Sequence, residues 1–384
     1  MGAPGLQYRC TRGRAVGRGK LAAVLALVVL VAVSAAIAAR WASPGPAQQT
    51  AAGEKLVTVM DSAGRQVTFA EPPERVVVLS SYWAEVLHCL GLGDRIVGID
   101  VYTAKDQFLP EEVRGRTRVG SVFRGVNWEA VAALDPDLII MGLWHGRFTP
   151  KEQAVFEKAE ELGVPVLAFG IPVTSKTGTK MPYENVRVIR VLGKVFGVEE
   201  RAEELAEYLE AHYNKVLEIA RGIPEHERKR VLVVYGTFAG RTGPVTISYR
   251  GSAYAEAVEL VGARNAAFDY NFTSQYPKLD MEKLIAYFGD RTDVLLVVDW
   301  DPERLEEALA KIRSDPRWHE IKAVREGRVV GVLVASWKLE AVSLYGPRFV
   351  TGLYAFGHAI YPERYPDWRP VYEEILRRFY GIGG

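Results

Sequence analysis

The residues able to do chemistry in this chain gather where strands should end. Ser80, Ser81, Tyr82 and Trp83 follow the apolar run 75–79. Tyr102 follows the next run, and Trp144, His145 and Arg147 follow 138–141. In the second half Tyr235, Thr237, Phe238 and Arg241 follow 230–234, and Trp300 follows 292–298. Tyr249 and Arg250 precede a helix opened by Ser252, and Trp337 and Arg348 come later. Aromatic rings with a few guanidinium groups suit a large, partly planar or anionic ligand, held by stacking and forked hydrogen bonds. Any one of these aromatics alone reads equally well as packing. Their recurrence after strands is what favours a ligand site.

Other chemistries find little support. Gly236, Gly240 and Gly243 follow a strand, but no GxxxxGK[ST] is present, and Arg241-Thr242 is a poor substitute. There is no GxSxG elbow and no HExxH. The histidines are His88, His145, His212, His226, His319 and His358, none paired at helical ligand spacing, which argues against a zinc site. His145, beside Trp144, is the one placed to touch a ligand or a metal centre. The chain is therefore expected to have no catalytic residues, no resident cofactor and no metal site of its own.

These residues are positioned by alternating elements. The runs 75–79, 94–99, 138–141 and 164–169 read as strands, with helices over 82–90, 128–134 and 151–162 between them. That alternation predicts an α/β fold with a parallel sheet and helices on both faces. A helical stretch follows over 183–222. Its second half places Ala202, Leu205, Ala206, Leu209, Tyr213, Val216, Leu217 and Ala220 on one stripe. At the α-helical rise residues 199–221 span roughly 35 Å. Gly222 and Pro224 stop the helix.

Beyond it the pattern returns. Ser81-x-x-Ala84-Glu85-Val86-Leu87-x-x-Leu90-Gly91 is echoed by Ser252-x-x-Ala255-Glu256-Ala257-Val258-x-x-Val261-Gly262. Asn127-Trp128-Glu129 is echoed by Asp280-Met281-Glu282. The sequence thus predicts two Rossmann-like parallel-sheet lobes, 55–182 and 223–384, joined by a long helical segment, 183–222, with a ligand cleft between them. Ligands of such sheets bind beyond the carboxyl ends of the strands. The helical stripe of Phe349, Leu353, Phe356 and Ile360, and a last helix over 371–379, are expected to pack on the second lobe.

Residues 1–54 form a leader and tether. Arg9, Arg12, Arg14, Arg18 and Lys20 precede an uncharged stretch that opens at Leu21 and closes at Ala39, just long enough to span a bilayer. It reads as a signal peptide cleaved near Ala36-Ile37-Ala38 or as a retained membrane anchor. Either way the rest of the chain is expected outside the cytoplasm. With 48 Lys and Arg against 47 Asp and Glu, the 384 residues carry a formal charge of +1. A nucleic-acid partner, which needs a basic surface, is not expected. Cys10 and Cys89 stand on opposite sides of the apolar stretch, and no disulfide between them is expected.

Several motifs occur in order: Asp61-Ser62-Ala63-Gly64-Arg65-x-Val67, Pro73-x-Arg75-Val76-Val77-x-Leu79, Glu85-x-Leu87-x-x-Leu90-Gly91 and Arg95-Ile96-Val97-Gly98. Val119-Gly120-Ser121, Asn127-x-Glu129 and Leu134-x-Pro136-Asp137-Leu138-Ile139 complete the set. Together they resemble the substrate-binding proteins of ABC importers for iron–siderophore complexes, haem and vitamin B12. The resemblance implies two lobes bridged by one long helix and a transported metal chelate: a ferric siderophore, haem or a corrinoid. It also implies an ABC permease with its ATPase as partner. Glu129 and Glu282 would dock onto permease arginines, one per lobe. It places ligand contacts near Ser81, Tyr82, Trp83, Trp144, His145, Arg147, Tyr235, Phe238, Arg241 and Trp337, with Arg250 and Arg348 as further candidates. Some relatives bind molybdate or tungstate, and Arg348 would then hold the anion or cap a buried carbonyl. An exported α/β enzyme is the remaining alternative. A helical linker resists hinge bending more than loops do, so closure on ligand is expected to be modest.

Overall fold

The computed structural model describes residues 56–143, 149–170, 181–239, 243–335 and 337–383. The first lobe opens with an antiparallel hairpin, β1 (Val57–Met60) and β2 (Gln66–Phe69). Its sheet contains β3 (Val76–Leu79), β4 (Ile96–Ile99), β5 (Thr117–Arg118), β6 (Leu138–Leu143) and β7 (Val166–Gly170). These lie in the order β5-β4-β3-β6-β7, all parallel. Every residue of β3 and β6 is buried, as β-branched and aliphatic runs covered on both faces should be. Helices α1 (Ser81–Cys89), α2 (Trp128–Ala133) and α3 (Pro150–Glu161) supply those covers. Asp94 and Arg95, expected to start the second strand, instead form a 3-10 turn ahead of β4.

The helical stretch expected over 183–222 is two helices, α4 (Met181–Phe196) and α5 (Glu199–Arg221). Gly197 ends α4 with a φ of +69°, a conformation that costs glycine little. The two helices then lie against each other. A Cβ on Gly193 would sit 2.4 Å from Ala202 Cβ, so only glycine permits that approach. Arg190 of α4 pairs with both Glu203 and Glu210 of α5. The linking rod is thus α5, about 35 Å long at the α-helical rise. Its predicted stripe is buried apart from Leu217, which is half-buried, and Tyr208 is buried as well.

The second lobe contains β8 (Arg230–Tyr235), β9 (Arg264–Asn265), β10 (Val294–Asp299) and β11 (Val329–Leu333), parallel in the order β9-β8-β10-β11. Helices α6 (Ala253–Leu260), α7 (Met281–Phe288) and α8 (Pro302–Ser314) connect them. One apolar cluster runs through both lobes, taking Val78 and Leu167 from the first sheet and Val233 and Leu296 from the second. Leu205, Leu209 and Val216 of α5 belong to the same cluster.

The C-terminal tail departs from expectation. Helix α9 (Phe349–Ile360) packs on α5, α6 and β11, with Phe349, Leu353, Phe356 and Ile360 all buried. The last helix, α10 (Arg369–Ile375), and the π-turn Leu376–Tyr380 lead back to the first lobe instead. There His88 Nε2 lies 3.2 Å from the Tyr380 carbonyl, and Arg201 donates to the Arg378 carbonyl. The cause is an ion pair that the sequence does not advertise. Arg348, just before α9, donates through Nε (2.9 Å) and Nη2 (3.0 Å) to Glu85 on α1, and Tyr380 donates to Glu85 Oε2 at 2.5 Å. Neither Arg348 nor Glu85 reaches solvent. The guanidinium also lies 3.3 Å from the Phe108 ring centroid, a desolvated cation–π contact. Burial pushes the nearby Asp106 carboxyl well above its ordinary range. Glu85 adds to that rise, and Arg348 opposes it.

Removing one partner of such a pair strands a buried charge. Arg348→Met is expected to lower unfolding free energy by about 3–5 kcal/mol, whereas Glu85→Met with Arg348→Met should recover most of that loss. Urea denaturation checks both; equal costs for the single and double variants would contradict the assignment.

Candidate functional site

A cavity of about 230 Å³ opens at the carboxyl ends of the first sheet. Leu79, Ser80, Ser81 and Tyr82 come to it from the β3–α1 junction, and Asp100 and Tyr102 from the end of β4. Ser121, Val122 and Phe123 come from the turn beyond β5, and Trp337 crosses over from the second lobe. Strand β3 is central, with β4 to one side and β6 to the other, so the cavity stands near the point where the winding of the sheet reverses. Trp337 is held there by the backbone: the Gln107 amide donates to the Trp337 carbonyl (3.0 Å), and the Leu339 amide donates to Gln107 Oε1 (3.1 Å). These bonds tie the loop after β11 to the first lobe, across the mouth of the site.

The polar groups on the wall are unusual in what they leave unmet. Ser80 opens α1, as expected, but its side chain makes no capping bond. Its Oγ is buried with no partner among the described residues. Asp100 is 3% exposed. Its Oδ1 accepts from the Thr103 amide (2.7 Å), the Thr103 hydroxyl (2.7 Å) and the Tyr102 amide (3.2 Å). No described residue bonds to Oδ2. Burial pushes the Asp100 carboxyl up from its ordinary value, and the Thr103 and Tyr102 bonds offset only part of that. A strand-end carboxylate of the second lobe, Asp299 at the end of β10, has partners: Arg304 stands 3.2 Å away and Thr237 donates to it at 2.7 Å.

The facing surface is rich in phenols. Tyr82 and Tyr345 have ring centroids 5.1 Å apart, and Tyr235 meets Tyr254 and Tyr276 edge-on, each at 5.8 Å. Ser252, the counterpart of the serine that opens α1, also makes no capping bond. It accepts instead from the Ser248 hydroxyl (2.6 Å), with the Tyr235 hydroxyl 3.5 Å away. Burial raises the Tyr254 and Tyr345 phenols well above their ordinary range, and the neighbouring phenols add to that rise. The rings stay neutral near pH 7.

The structure sorts the predicted site residues. Ser81, Tyr82 and Trp337 line the cavity, and Tyr235 stands in the tyrosine cluster. Trp83 does not reach the cleft: it is fully buried, edge-on to Phe169 at 5.7 Å, because α1 turns that face onto the sheet. Arg348 is committed to Glu85 and offers nothing to an anion in the cavity. Arg250 is exposed, bonds the Phe268 carbonyl and lies over the Phe268 ring, away from the cavity wall. Trp144, His145, Arg147, Arg241 and the side chain of Phe238 lie outside the described residues. Glu129 and Glu282 are both exposed second residues of helices, behind Asn127 and Asp280, whose side chains accept from Ala130 and Lys283 amides. Neither glutamate enters an ion pair among the described residues.

Asp100, Tyr254, Tyr276 and Tyr345 join the site without having been expected there. Asp100 had a signal, since it follows a strand as Ser80 does. The tyrosines had none, because they come from a helix and loops distant in sequence.

Two similar α/β lobes on one helical rod, with a polar–aromatic cavity at the strand ends, define a solute-binding architecture. A family model described as periplasmic binding protein matches residues 76–332, and the chain belongs to that family. An ABC transporter substrate-binding lipoprotein of Bacillus subtilis, YvrC, is 25% identical over 91% of this chain and 99% of its own length. A cobalamin-binding protein of Halobacterium salinarum is 27% identical over 82% of this chain and 79% of its own. The molybdate periplasmic binding protein MolA of Haemophilus influenzae shares the fold with a TM-score of 0.66 at 18% identity, covering 85% of this chain and 99% of that one. The protein is accordingly an extracytoplasmic substrate-binding protein of the ABC-importer type, a class that works with a permease and its ATPase. Among the described residues no helix is long and apolar enough to cross a membrane; the stretch 21–39 lies outside them.

The Asp100 environment makes a pH-dependent prediction. A carboxyl raised on folding stabilises the fold at low pH, and that contribution is lost as pH rises through the raised value. Asp100→Asn should therefore gain stability relative to the native protein as pH rises. Carbon-detected NMR should titrate Asp100 above the ordinary 3.8. A value at or below it, with no pH trend in the variant, would contradict the description.

Proposed function

We propose that this protein captures a metal chelate outside the cytoplasm, a corrinoid first among the candidates, and delivers it to an ABC permease. The observation that carries the reading is the composition of the cavity wall. It has aromatic rings, hydroxyls and one buried carboxylate, and no lysine or arginine among its described lining residues. A wall of this kind suits the rim of a large, uncharged, partly planar chelate, which it meets by stacking and by single hydrogen bonds. An oxyanion needs converging cations or amide donors. Arg348, the arginine that the sequence offered for that role, is spent on Glu85. The relative named for cobalamin, aligned over most of both chains, supports the same choice. Haem and ferric siderophores remain within the class. At about 230 Å³ the described cavity admits only an edge of such a ligand, so the remainder would lie along the tyrosine wall.

Titration of the purified full chain with cyanocobalamin, haemin, ferric siderophores and molybdate, followed by intrinsic tryptophan fluorescence and by calorimetry, tests the reading. Cyanocobalamin or another chelate should bind and quench, and molybdate should not. Saturable binding of molybdate alone would replace this reading with an oxyanion carrier.

Docking is proposed for Glu129 and Glu282. Each is exposed and in no ion pair among the described residues, at the same place on matching helices, and charges so placed orient an encounter more than they set its affinity. Glu129→Ala with Glu282→Ala should leave chelate affinity within about twofold, since neither touches the cavity, and abolish permease-driven uptake. Full uptake by the double variant would remove the docking role.

A further inference from the structure

Two unmet polar groups share the cavity wall, and together they narrow the ligand further; the argument rests on the chelate reading above. Asp100 and Ser80 stand at the ends of neighbouring parallel strands, fixed to each other by the backbone, where the Asp100 amide donates to the Val78 carbonyl at 3.0 Å. Ser80 Oγ is buried without a partner among the described residues. The three described hydrogen bonds to the Asp100 carboxylate are all accepted by Oδ1. Its other oxygen is left to the cavity that the side chain lines. A buried hydroxyl that lacks a partner is costly to a fold, and a carboxylate oxygen open to the same cavity is free to accept; both are explained most simply by a group that arrives with the ligand.

Asp299, at the end of a strand of the second sheet, shows the contrast: Arg304 pairs with it and Thr237 donates to it. Asp100 takes part in no ion pair among the described residues. Tyr82 and Tyr102 are the other titratable groups among the described residues that line its cavity, and neither supplies a cation.

We infer that Asp100 and Ser80 read a paired hydrogen-bond donor and acceptor on the entering edge of the ligand, Asp100 Oδ2 accepting from an N–H and Ser80 Oγ donating to the adjoining carbonyl. A primary carboxamide matches both groups at once. A carboxylate in its place brings a second negative charge against Asp100 in a desolvated site. Sites built to hydrogen-bond a given group reject analogues lacking it far more strongly than apolar pockets reject a change of size. The cleft therefore takes neutral, amide-bearing chelates or cationic ones, and refuses those with carboxylate or catecholate rims.

Calorimetry on the full chain tests this with four probes: cyanocobalamin, its monocarboxylic acids in which one peripheral carboxamide is a carboxylate, a cationic ferric trihydroxamate and an anionic ferric tris-catecholate. At least one monocarboxylic acid should bind about 10- to 100-fold more weakly than the parent, the range expected for one hydrogen bond to a charged group. The tris-catecholate should be the weakest of the iron complexes. Asp100→Asn keeps an oxygen for Thr103, so the turn survives, and its amide can donate to a carboxylate; the gap between parent and acid should close. Ser80→Ala should weaken parent and acid alike and keep the gap. An unchanged gap in Asp100→Asn, or a native protein that prefers the tris-catecholate, overturns the inference while leaving the chelate reading intact. A native protein that binds none of the four, and not haemin either, removes the chelate reading, and this inference with it.

Discussion

The ion pair between Glu85 and Arg348 joins parts of the chain 263 residues apart and lies wholly out of water. It belongs to neither lobe alone. Glu85 projects from the helix whose first turn shapes the cavity, and Arg348 precedes the helix that packs along the linking rod. Tyr380 adds a third bond to the same carboxylate and brings the chain terminus back to the first lobe. A buried pair is not itself a strong source of stability, because desolvation consumes most of its Coulomb energy. Its consequence is geometric. A bidentate guanidinium–carboxylate contact tolerates little displacement, so it fixes α1 relative to the second lobe more tightly than apolar packing would.

With that contact in place, the cleft is framed on three sides. The rod α5 carries an apolar stripe shared with both sheets. The buried pair holds the back, and the Gln107–Trp337 backbone bonds hold the mouth. What faces the gap is a set of groups that the lobes do not use for their own structure. The serines that open α1 and α6 make no capping bonds, and the phenols of both lobes converge on the space between the sheets. The two lobes repeat one plan and differ in detail. At two strand ends that do not correspond, Asp299 is matched by an arginine, while Asp100, in no ion pair among the described residues, lines the cavity.

Much of this was legible in the sequence because it rests on periodicity. Continuous apolar runs become fully buried strands, the stripe of α5 lies on the predicted face, and Asn127-Trp128-Glu129 and Asp280-Met281-Glu282 occupy equivalent helix starts. The site was less legible. Ser80 and Trp83 are three residues apart, yet the first faces the cavity and the second faces the sheet; residue type after a strand does not give direction. Arg348 read as an anion ligand because nothing local to it reveals a glutamate 263 positions earlier. The split of 183–222 into two helices was signalled by Gly193 and Gly197, whose meaning depends on a neighbour and on a backbone angle that pattern alone does not supply.

The central claim is that the lobes are held at a nearly fixed separation and grip a solute without a wide hinge. Pulsed electron spin measurements between labels at Glu129→Cys and Glu282→Cys, with Cys10→Ser and the buried Cys89 left in place, test it most directly. The account predicts one narrow distance distribution that shifts by no more than a few ångström when cyanocobalamin is added, and that broadens when Arg348 is replaced by Met. Two well-separated populations in the native protein, or a narrow distribution indifferent to Arg348, would contradict it.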